Sequence, residues 1–362
     1  MLSRVAESMY WMSRYIERAE NTARFLDVNF HLLLDLNKIS AVDSQDYWES
    51  LILVTSDKER FDQYYSQTNA DTVTDFLVFN RNNPSSISSC IAFARENGRS
   101  IIETISSEMW EQINNTYHFV QGVNARAIKA DPYDFYKEIK NASHLFQGIT
   151  DSTLSHNDGW DFMQAGKALE RADNTARLIG VKYHLLQPKV GSDNLPIPTP
   201  DSVDIIQWMA VLKSCSALEA FRKVHLSNID PHTILAFLVL DRVFPRSLYF
   251  SVSYMQRALW RISGSSHRRY NNNADRLVGK LDSELSYTSI DDIYEQGLDN
   301  YLENLQQRLA RIGEQIYEIY FAYHIPEMQF PQQADLAMWF NGVNGGLAQW
   351  SQAEQQQQQQ QQ

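Results

Sequence analysis

Two short segments of the chain carry carboxylates, guanidinium groups and an amide in the same order. Residues 17–24 read ERAENTAR and residues 170–177 read ERADNTAR, so seven of eight residues are identical at an offset of 153. On a helix, which turns by about 100° per residue, the first, fourth, fifth and eighth residues of each segment share one face. Carboxylates on such a face could act as general bases or bind an amine, and the arginines could bind a carboxylate or a phosphate.

The polar residues of these two segments are the main candidate site residues. Glu17 and Glu170 are the candidate catalytic groups, and either could act as a general base if burial and the neighbouring acid, Glu20 or Asp173, raised its pKa. The residues that we expect to bind a substrate or a partner are Arg18, Glu20, Asn21, Arg24, Arg171, Asp173, Asn174, Arg177 and Arg246. All of these except Arg246 belong to the two repeated segments.

Several interpretations of the repeated face remain open. An exposed face would need only ion pairs such as Glu20–Arg24 at i,i+4, each worth about 0.3–0.5 kcal/mol. The repetition of particular residues, including two small alanines in each segment, favours a face packed closely against another helix, where the charges must pair. Such a face could be a substrate site or a structural network. No histidine lies three residues after Glu17 or Glu170, so we predict no metal site, and we predict no cofactor.

A second, weaker repeat follows each segment. Residues 77–87 (LVFNRNNPSSI) resemble residues 238–248 (LVLDRVFPRSL) at an offset of 161. A proline followed closely by serine is typical of a helix start, and we expect Pro84 and Pro245 at the first helical position. A helix start can bind an anion, and Arg246 would add a cation there. Capping of the helix by serine explains the same residues equally well.

The hydrophobic pattern predicts an all-α protein, a large helical bundle built from two related halves. Apolar residues recur at helical spacing over residues 2–36, 134–149, 160–186, 204–226, 232–240, 274–286 and 291–323. The first half spans about residues 1–150 and the second about residues 151–326. Residues 57–71 are polar and predict a loop, and residues 187–200 predict a longer connection. Residues 327–362, which end in a glutamine tract, predict a disordered tail.

Composition narrows the class of function. The 362 residues carry a formal net charge of −12, which argues against a nucleic-acid-binding surface. No stretch approaches the roughly 18 apolar residues of a membrane span, and the first residues lack the apolar core of a signal peptide. The two cysteines, Cys90 and Cys215, are too few for a disulfide framework. These features predict a cytoplasmic protein that binds neither nucleic acid nor a membrane.

Several motifs together resemble the bacterial alpha-E family. They lie at residues 1–24, 83–87, 94–110, 156–178, 244–248 and 294–309, and the similarity extends to about residue 325. The resemblance implies an all-helical protein that works beside, or fused to, a circularly permuted ATP-grasp protein, often together with a transglutaminase-like peptidase. It also implies that the motif acids and arginines are the functional residues, here Glu17, Arg18, Arg24, Glu170, Arg171 and Arg177. The glutamine-rich tail and residues 187–200 depart from the family pattern.

The residues and the resemblance together leave three functional hypotheses. ATP-grasp enzymes join carboxylates to amines through acyl phosphates. The first hypothesis is therefore an accessory or substrate-binding component of an ATP-grasp-linked amide-ligation system, which modifies a peptide or a small metabolite and has an ATP-grasp-type ligase as its partner. The second is a stand-alone enzyme in which Glu17 or Glu170 acts as general base. The third is a non-catalytic scaffold in which the repeated segments lock the two halves together.

Overall fold

A computed structural model describes residues 1–36, 44–55, 57–123, 128, 132–186, 201–225, 229–266 and 269–322, which form fifteen α-helices and no β-strand. The N-terminal helices are α1 (Ser3–Leu36), α2 (Ser44–Thr55), α3 (Lys58–Tyr64), α4 (Ala70–Thr74), α5 (Ile87–Ser100), α6 (Ser107–Gly122) and α7 (Pro132–Thr153). The C-terminal helices are α8 (Asp158–Leu186), α9 (Asp201–Ser214), α10 (Leu218–His225), α11 (Pro231–Leu240), α12 (Leu248–Ser263), α13 (Asn273–Tyr287), α14 (Ile290–Gln296) and α15 (Leu298–Ile316). The predicted all-α class is confirmed, whereas the segment 187–200 and the tail 327–362 lie outside the described residues.

The two long helices α1 and α8 pack against each other and carry the repeated segments. Ser13 Oγ donates a hydrogen bond to Met163 O at 2.6 Å, and further along Lys182 Nζ donates to Asn29 Oδ1 at 3.0 Å. Because the contacting residues rise in number together, the two helices run in the same direction. Residues 17–24 therefore lie opposite residues 170–177.

The other helices surround this pair in a similar way on both sides. Helices α5 and α7 pack on α1, with α6 against both, while α12 and α15 pack on α8, with α13 against both. Two helices cross over: α2 packs on α8, and α9 packs on α1. Through this exchange the N-terminal and C-terminal helices share one core.

The predicted helix starts near the two prolines need a correction. The N-caps are Ser86 and Ser247, and each side-chain oxygen accepts a hydrogen bond from the backbone N–H three residues later at 3.1 Å. Pro84 and Pro245 are not at the first helical position, because they lie in the turn before these caps. A serine side chain can satisfy an amide that the first helical turn leaves unpaired, so it fixes where the helix begins.

Three predicted element bounds are also wrong. Residues 57–71 contain α3 and the start of α4 instead of a continuous loop, because Phe61 is buried and Asn69 caps α4. The helix predicted over residues 204–226 is interrupted at Ser216, where φ is 53°. The helix predicted over residues 291–323 is interrupted at Gly297, where φ is 84°. A positive φ is incompatible with a continuous right-handed helix.

Both cysteines are part of the buried core. Cys90 and Cys215 are free thiols, and burial raises the pKa of each to about 12. A thiol with so high a pKa is protonated at neutral pH and is a poor nucleophile. Among the described helices, none has the length and apolar character needed to cross a membrane.

Candidate functional site

Glu17 lies at the contact between α1 and α8 and is completely buried. Arg171 Nε donates to Glu17 Oε1 at 2.8 Å, and Gln147 Nε2 from α7 donates to Glu17 Oε2 at 3.1 Å. The guanidinium of Arg246 also approaches, with Nη1 at 2.9 Å from Glu17 Oε1. The Glu17 carboxylate is therefore bound by two guanidinium groups and one side-chain amide. They come from α8, α7 and the turn before α12.

Glu170 has the corresponding position on α8, and 5% of its surface is exposed. Arg18 binds it through both oxygens, with Nε–Oε1 at 2.6 Å and Nη2–Oε2 at 2.9 Å. Arg14 Nε donates to Glu170 Oε2 at 3.0 Å. The two segments are thus paired reciprocally, because the glutamate of each Glu-Arg dipeptide binds the arginine of the other.

Glu20 and Asn21 extend the network on one side only. Glu20 is completely buried and pairs with both Arg24 and Arg246. Arg246 Nη1 also donates to Asn21 Oδ1 at 2.9 Å. The predicted i,i+4 pair Glu20–Arg24 therefore exists, but it is buried and joined to Arg246, which reaches across from the turn before α12.

Asp173 and Arg177 are the corresponding residues on α8 and are more exposed. Arg177 Nε donates to Asp173 Oδ2 at 2.7 Å, and the side chains are 28% and 25% exposed. The structure thus brings the candidate residues into two adjoining groups on the α1–α8 contact. The group around Glu17 contains Glu17, Glu20, Asn21, Arg24, Arg171 and Arg246, and the group around Glu170 contains Arg18, Glu170, Asp173, Asn174 and Arg177.

The electrostatics of the buried acids differ from the expectation for a general base. Burial would raise the pKa of Glu170, but the charges of Arg18 and Arg14 outweigh it and lower this pKa to about 2. Burial likewise opposes ionisation of Glu20, yet Arg246 and Arg24 hold its pKa well below the usual value. The raised pKa expected for Glu170 is therefore wrong, because the expectation counted the neighbouring acid and not the arginines of the opposite helix.

Three residues outside the candidate set also contribute to the site. Arg14 lies one turn before Arg18, and helical spacing places it on the same face of α1 as the repeated residues. Gln147 comes from α7 and carries no signal in the sequence. Lys167 occupies the position 153 residues after Arg14, and its pKa is lowered to about 8, first by burial and then by the charge of Arg171.

A cavity of about 170 Å³ opens beside the group around Glu170. Six candidate residues line it, namely Arg18, Asn21, Glu170, Asp173, Asn174 and Arg177. Ser85, which directly precedes the N-cap of α5, also lines it. We call this space the Ser85 cavity. Its polar lining and its volume could hold a small charged group.

Metal ligation has no obvious place in the described part of the chain. No group of three or more His, Cys, Asp or Glu side chains is arranged there to hold a metal ion. The acids of the two groups are instead paired with arginines. Such pairs can position charged ligands, and they fix the contact between the helices that carry them.

Comparison with known proteins gives a family and distant relatives. The model of the Alpha-E family, described as a predicted alpha-helical domain with a conserved ER motif, matches residues 1–321. An uncharacterized protein of Mycobacterium bovis and one of Mycobacterium tuberculosis strain CDC 1551 are each 21% identical over 340 residues. The match covers 87% of this chain and 36% of each relative, so the chain spans about a third of their length. No solved structure matches the chain.

Proposed function

Because the chain belongs to the Alpha-E family, in which an ER motif is conserved, we propose that it is a helical component of an ATP-grasp-linked amide-ligation system. In this proposal it binds the ligase or its substrate and does not itself make the bond. The substrate is a peptide or a small metabolite, and the partner is an ATP-grasp-type ligase, with a transglutaminase-like peptidase as a further partner. We place the system in the cytoplasm.

The observation that carries the proposal is the pairing of the motif acids. The pKa of Glu170, at about 2, leaves it ionised and a very weak base at neutral pH. Efficient general bases have a pKa near the working pH. Glu170 is therefore better suited to hold a charged group than to transfer a proton, which favours binding over catalysis by this residue.

The relatives support a role as one component of a larger system. Because the match covers only 36% of the mycobacterial proteins, this region is joined there to other parts of a longer chain. Fusion of a helical region to further segments is consistent with joint action.

The scaffold hypothesis is favoured for one part of the motif. The reciprocal pairs Arg18–Glu170 and Arg171–Glu17 connect α1 to α8 and are largely buried. We propose that these two pairs hold the two central helices together, while the more exposed Asp173, Asn174 and Arg177 serve binding. We also propose that the N-terminal and C-terminal helices arose by duplication, since reciprocal pairing is the contact expected between two copies of one segment.

The proposal is tested by purification of the tagged chain from its native host. We expect an ATP-grasp protein to copurify and to be identified by mass spectrometry. We then expect ATP-dependent amide formation by the separated ligase to rise when the chain is added back. Asp173→Asn should reduce this stimulation without lowering the melting temperature, because Asp173 is partly exposed and the network around Glu17 stays intact.

A matched control is Arg99→Ala, which changes a charge on α5 away from both groups. Arg99 pairs with Glu96 three residues before it, and its side chain is 57% exposed. We expect this variant to copurify the ligase and to stimulate it like the wild type. The proposal fails if no ATP-grasp protein copurifies with the wild type and the chain has no effect on such a ligase.

A further inference from the structure

Ser85 and Arg246 occupy the same place at two similar helix starts. Each residue directly precedes the serine that caps its helix, Ser86 for α5 and Ser247 for α12. Helix α5 packs on α1, and α12 packs on α8. Arginine has a much longer side chain than serine. Arg246 can therefore reach a place at the α1–α8 contact that Ser85, at the other helix start, cannot reach.

Arg246 shows what fills the first side. Its guanidinium crosses to α1, where it binds Glu17, Glu20 and the side-chain oxygen of Asn21. The residues of α8 at the offset of 153 from these acceptors are Glu170, Asp173 and Asn174. All three line the Ser85 cavity. The cavity therefore lies where the counterpart of the Arg246 guanidinium would lie.

The charges around the two places are also alike. Glu17 has Arg171 and the nearby Lys167 besides Arg246, and Glu170 has Arg18 and Arg14. Since the first group accepts a further guanidinium in that setting, the flanking cations around Glu170 do not forbid one. The balance of acids and bases thus permits a cation in the Ser85 cavity.

Asp57 adds another acid beside the cavity. Its carboxylate approaches Ser85, and its Oδ2 is buried without a hydrogen-bond partner among the described residues. Burial raises the pKa of Asp57 although the charges of Arg60 and Arg18 oppose this rise. A buried carboxylate oxygen without a partner is costly, and a cationic donor nearby would reduce that cost.

We propose that the Ser85 cavity binds a guanidinium group of a ligand, which takes the place that Arg246 fills on the other side. The group would donate to Glu170, Asp173 and Asn174, as Arg246 does to their counterparts. Its carrier is either a small metabolite or an arginine side chain of a peptide. This inference deepens the proposed function by naming the ligand chemistry, and it is tested on the isolated chain without a ligase.

Titration calorimetry with paired probes tests the charge requirement. The probes are L-arginine and the blocked peptide acetyl-Gly-Arg-Gly-amide. Each is compared with its citrulline counterpart, whose side chain has a similar shape but carries no charge. We expect at least one arginine probe to bind, and its citrulline counterpart to bind about tenfold more weakly or worse. Binding of L-arginine indicates a metabolite, and binding of the peptide alone indicates a peptide side chain.

Ser85→Arg is the decisive variant, because it places in the cavity the side chain that the other helix start already carries. We expect it to fold, with unchanged circular dichroism, and to lose binding of the arginine probe at least tenfold. Arg99→Ala, which lies on α5 and does not line the cavity, should bind like the wild type. If Ser85→Arg does not fold, Asp173→Asn should still weaken binding several-fold.

Several results would overturn the proposal. One is equal binding of the arginine and citrulline probes, and another is binding by Ser85→Arg as tight as by the wild type. Absence of binding by both arginine probes, or tighter binding of inorganic phosphate than of either, would also overturn it. A ligase could still copurify in each of these cases, so the proposed function and this inference can fail separately.

Discussion

At the scale of single residues, the loss of Arg246 should strongly destabilise the folded protein. Arg246 is 8% exposed and neutralises two completely buried acids, Glu17 and Glu20. Removing one partner of a buried ion pair leaves an uncompensated charge, so we expect Arg246→Ala to lower the free energy of unfolding by about 3–5 kcal/mol. Urea denaturation measures this change.

The matched control for this prediction is Arg99→Ala, which removes an exposed arginine. Exposed pairs are worth about 0–1 kcal/mol, so the change in the free energy of unfolding should stay within that range. A loss below about 1 kcal/mol for Arg246→Ala would mean that Glu17 and Glu20 find other partners. It would contradict the reading of Arg246 as the common partner of both acids.

The carboxylate of Glu170 predicts a loss of stability in acid. Its pKa in the folded protein is about 2, below the ordinary 4.5, because Arg18 and Arg14 outweigh the effect of burial. A lowered pKa stabilises the folded state at pH above about 4.5, and this contribution falls as pH drops toward 2. The stability gap between wild type and Glu170→Gln should therefore be constant from pH 7 to 5 and shrink from pH 4.5 downward.

Urea denaturation of both proteins at pH 7, 5, 4 and 3 measures this gap. Glu170→Gln keeps the shape of the side chain but does not titrate. The pH dependence of its stability therefore reports the other acids of the chain, and the gap isolates the contribution of Glu170. A gap that grows as the pH falls would contradict the pairing of Glu170 with Arg18 and Arg14. A gap that does not change between pH 5 and 3 would show that the folded and unfolded states bind the proton of Glu170 equally, so it would contradict the lowered pKa.

The sequence predicts the residue types of the site well but not their pairing. The repeated segments identify Glu17, Arg18, Glu170 and Arg171, all of which lie in the network. Their reciprocal pairing depends on the register of α1 against α8, which no local pattern encodes. The same is true of Arg246, which reaches Glu20 across 226 positions of sequence.

At the scale of the elements, the contact between α1 and α8 depends on a glycine. A Cβ added at Gly166 would lie 2.6 Å from Tyr10 O and 3.0 Å from Ser13 Oγ. Because the closest neighbour is backbone, α1 would have to move. We expect Gly166→Ala to destabilise the protein by about 1–3 kcal/mol, despite the better helix propensity of alanine.

The control for this prediction is Gly148→Ala in α7, where nothing lies within 4 Å of the added Cβ. There only helix propensity acts, so alanine should stabilise the protein by up to about 1 kcal/mol. Thermal melting of the two variants beside the wild type should therefore show shifts of opposite sign. Equal stabilisation by both substitutions would contradict the close contact of α1 with α8.

Helix positions are predicted by periodicity, but helix ends are decided by local chemistry. The long helices α1 and α8 agree with their predicted ranges to within two residues. The break at Gly297 interrupts an apolar pattern that continues on both sides, so periodicity alone joins α14 to α15. Likewise, the caps Ser86 and Ser247 displace helix starts that proline statistics place earlier.

At the scale of the whole molecule, the crossing of α2 and α9 decides how the fold is stabilised. Helix α2 from the N-terminal part packs on α8, and α9 from the C-terminal part packs on α1. Each part thus completes the core of the other. The hydrophobic pattern predicts two similar sets of helices but not this exchange, because an amphipathic face does not encode which helix will cover it.

The exchange predicts that the described fold unfolds as one cooperative unit. Elements that share a core lose their protection together, whereas independent units open separately. A change at the α1–α8 contact, such as Gly166→Ala, should therefore lower hydrogen-exchange protection in both α5 and α12, although each packs on a different central helix. Native-state hydrogen exchange with mass spectrometry measures both helices in one experiment.

An equal loss of hydrogen-exchange protection in α5 and α12 is the expected result. The substitution acts on the contact between α1 and α8, the two helices on which α5 and α12 pack. Loss confined to α12, on the side of Gly166, would mean that the N-terminal helices hold together without their partners, and that the buried Glu-Arg pairs connect two independently stable bundles.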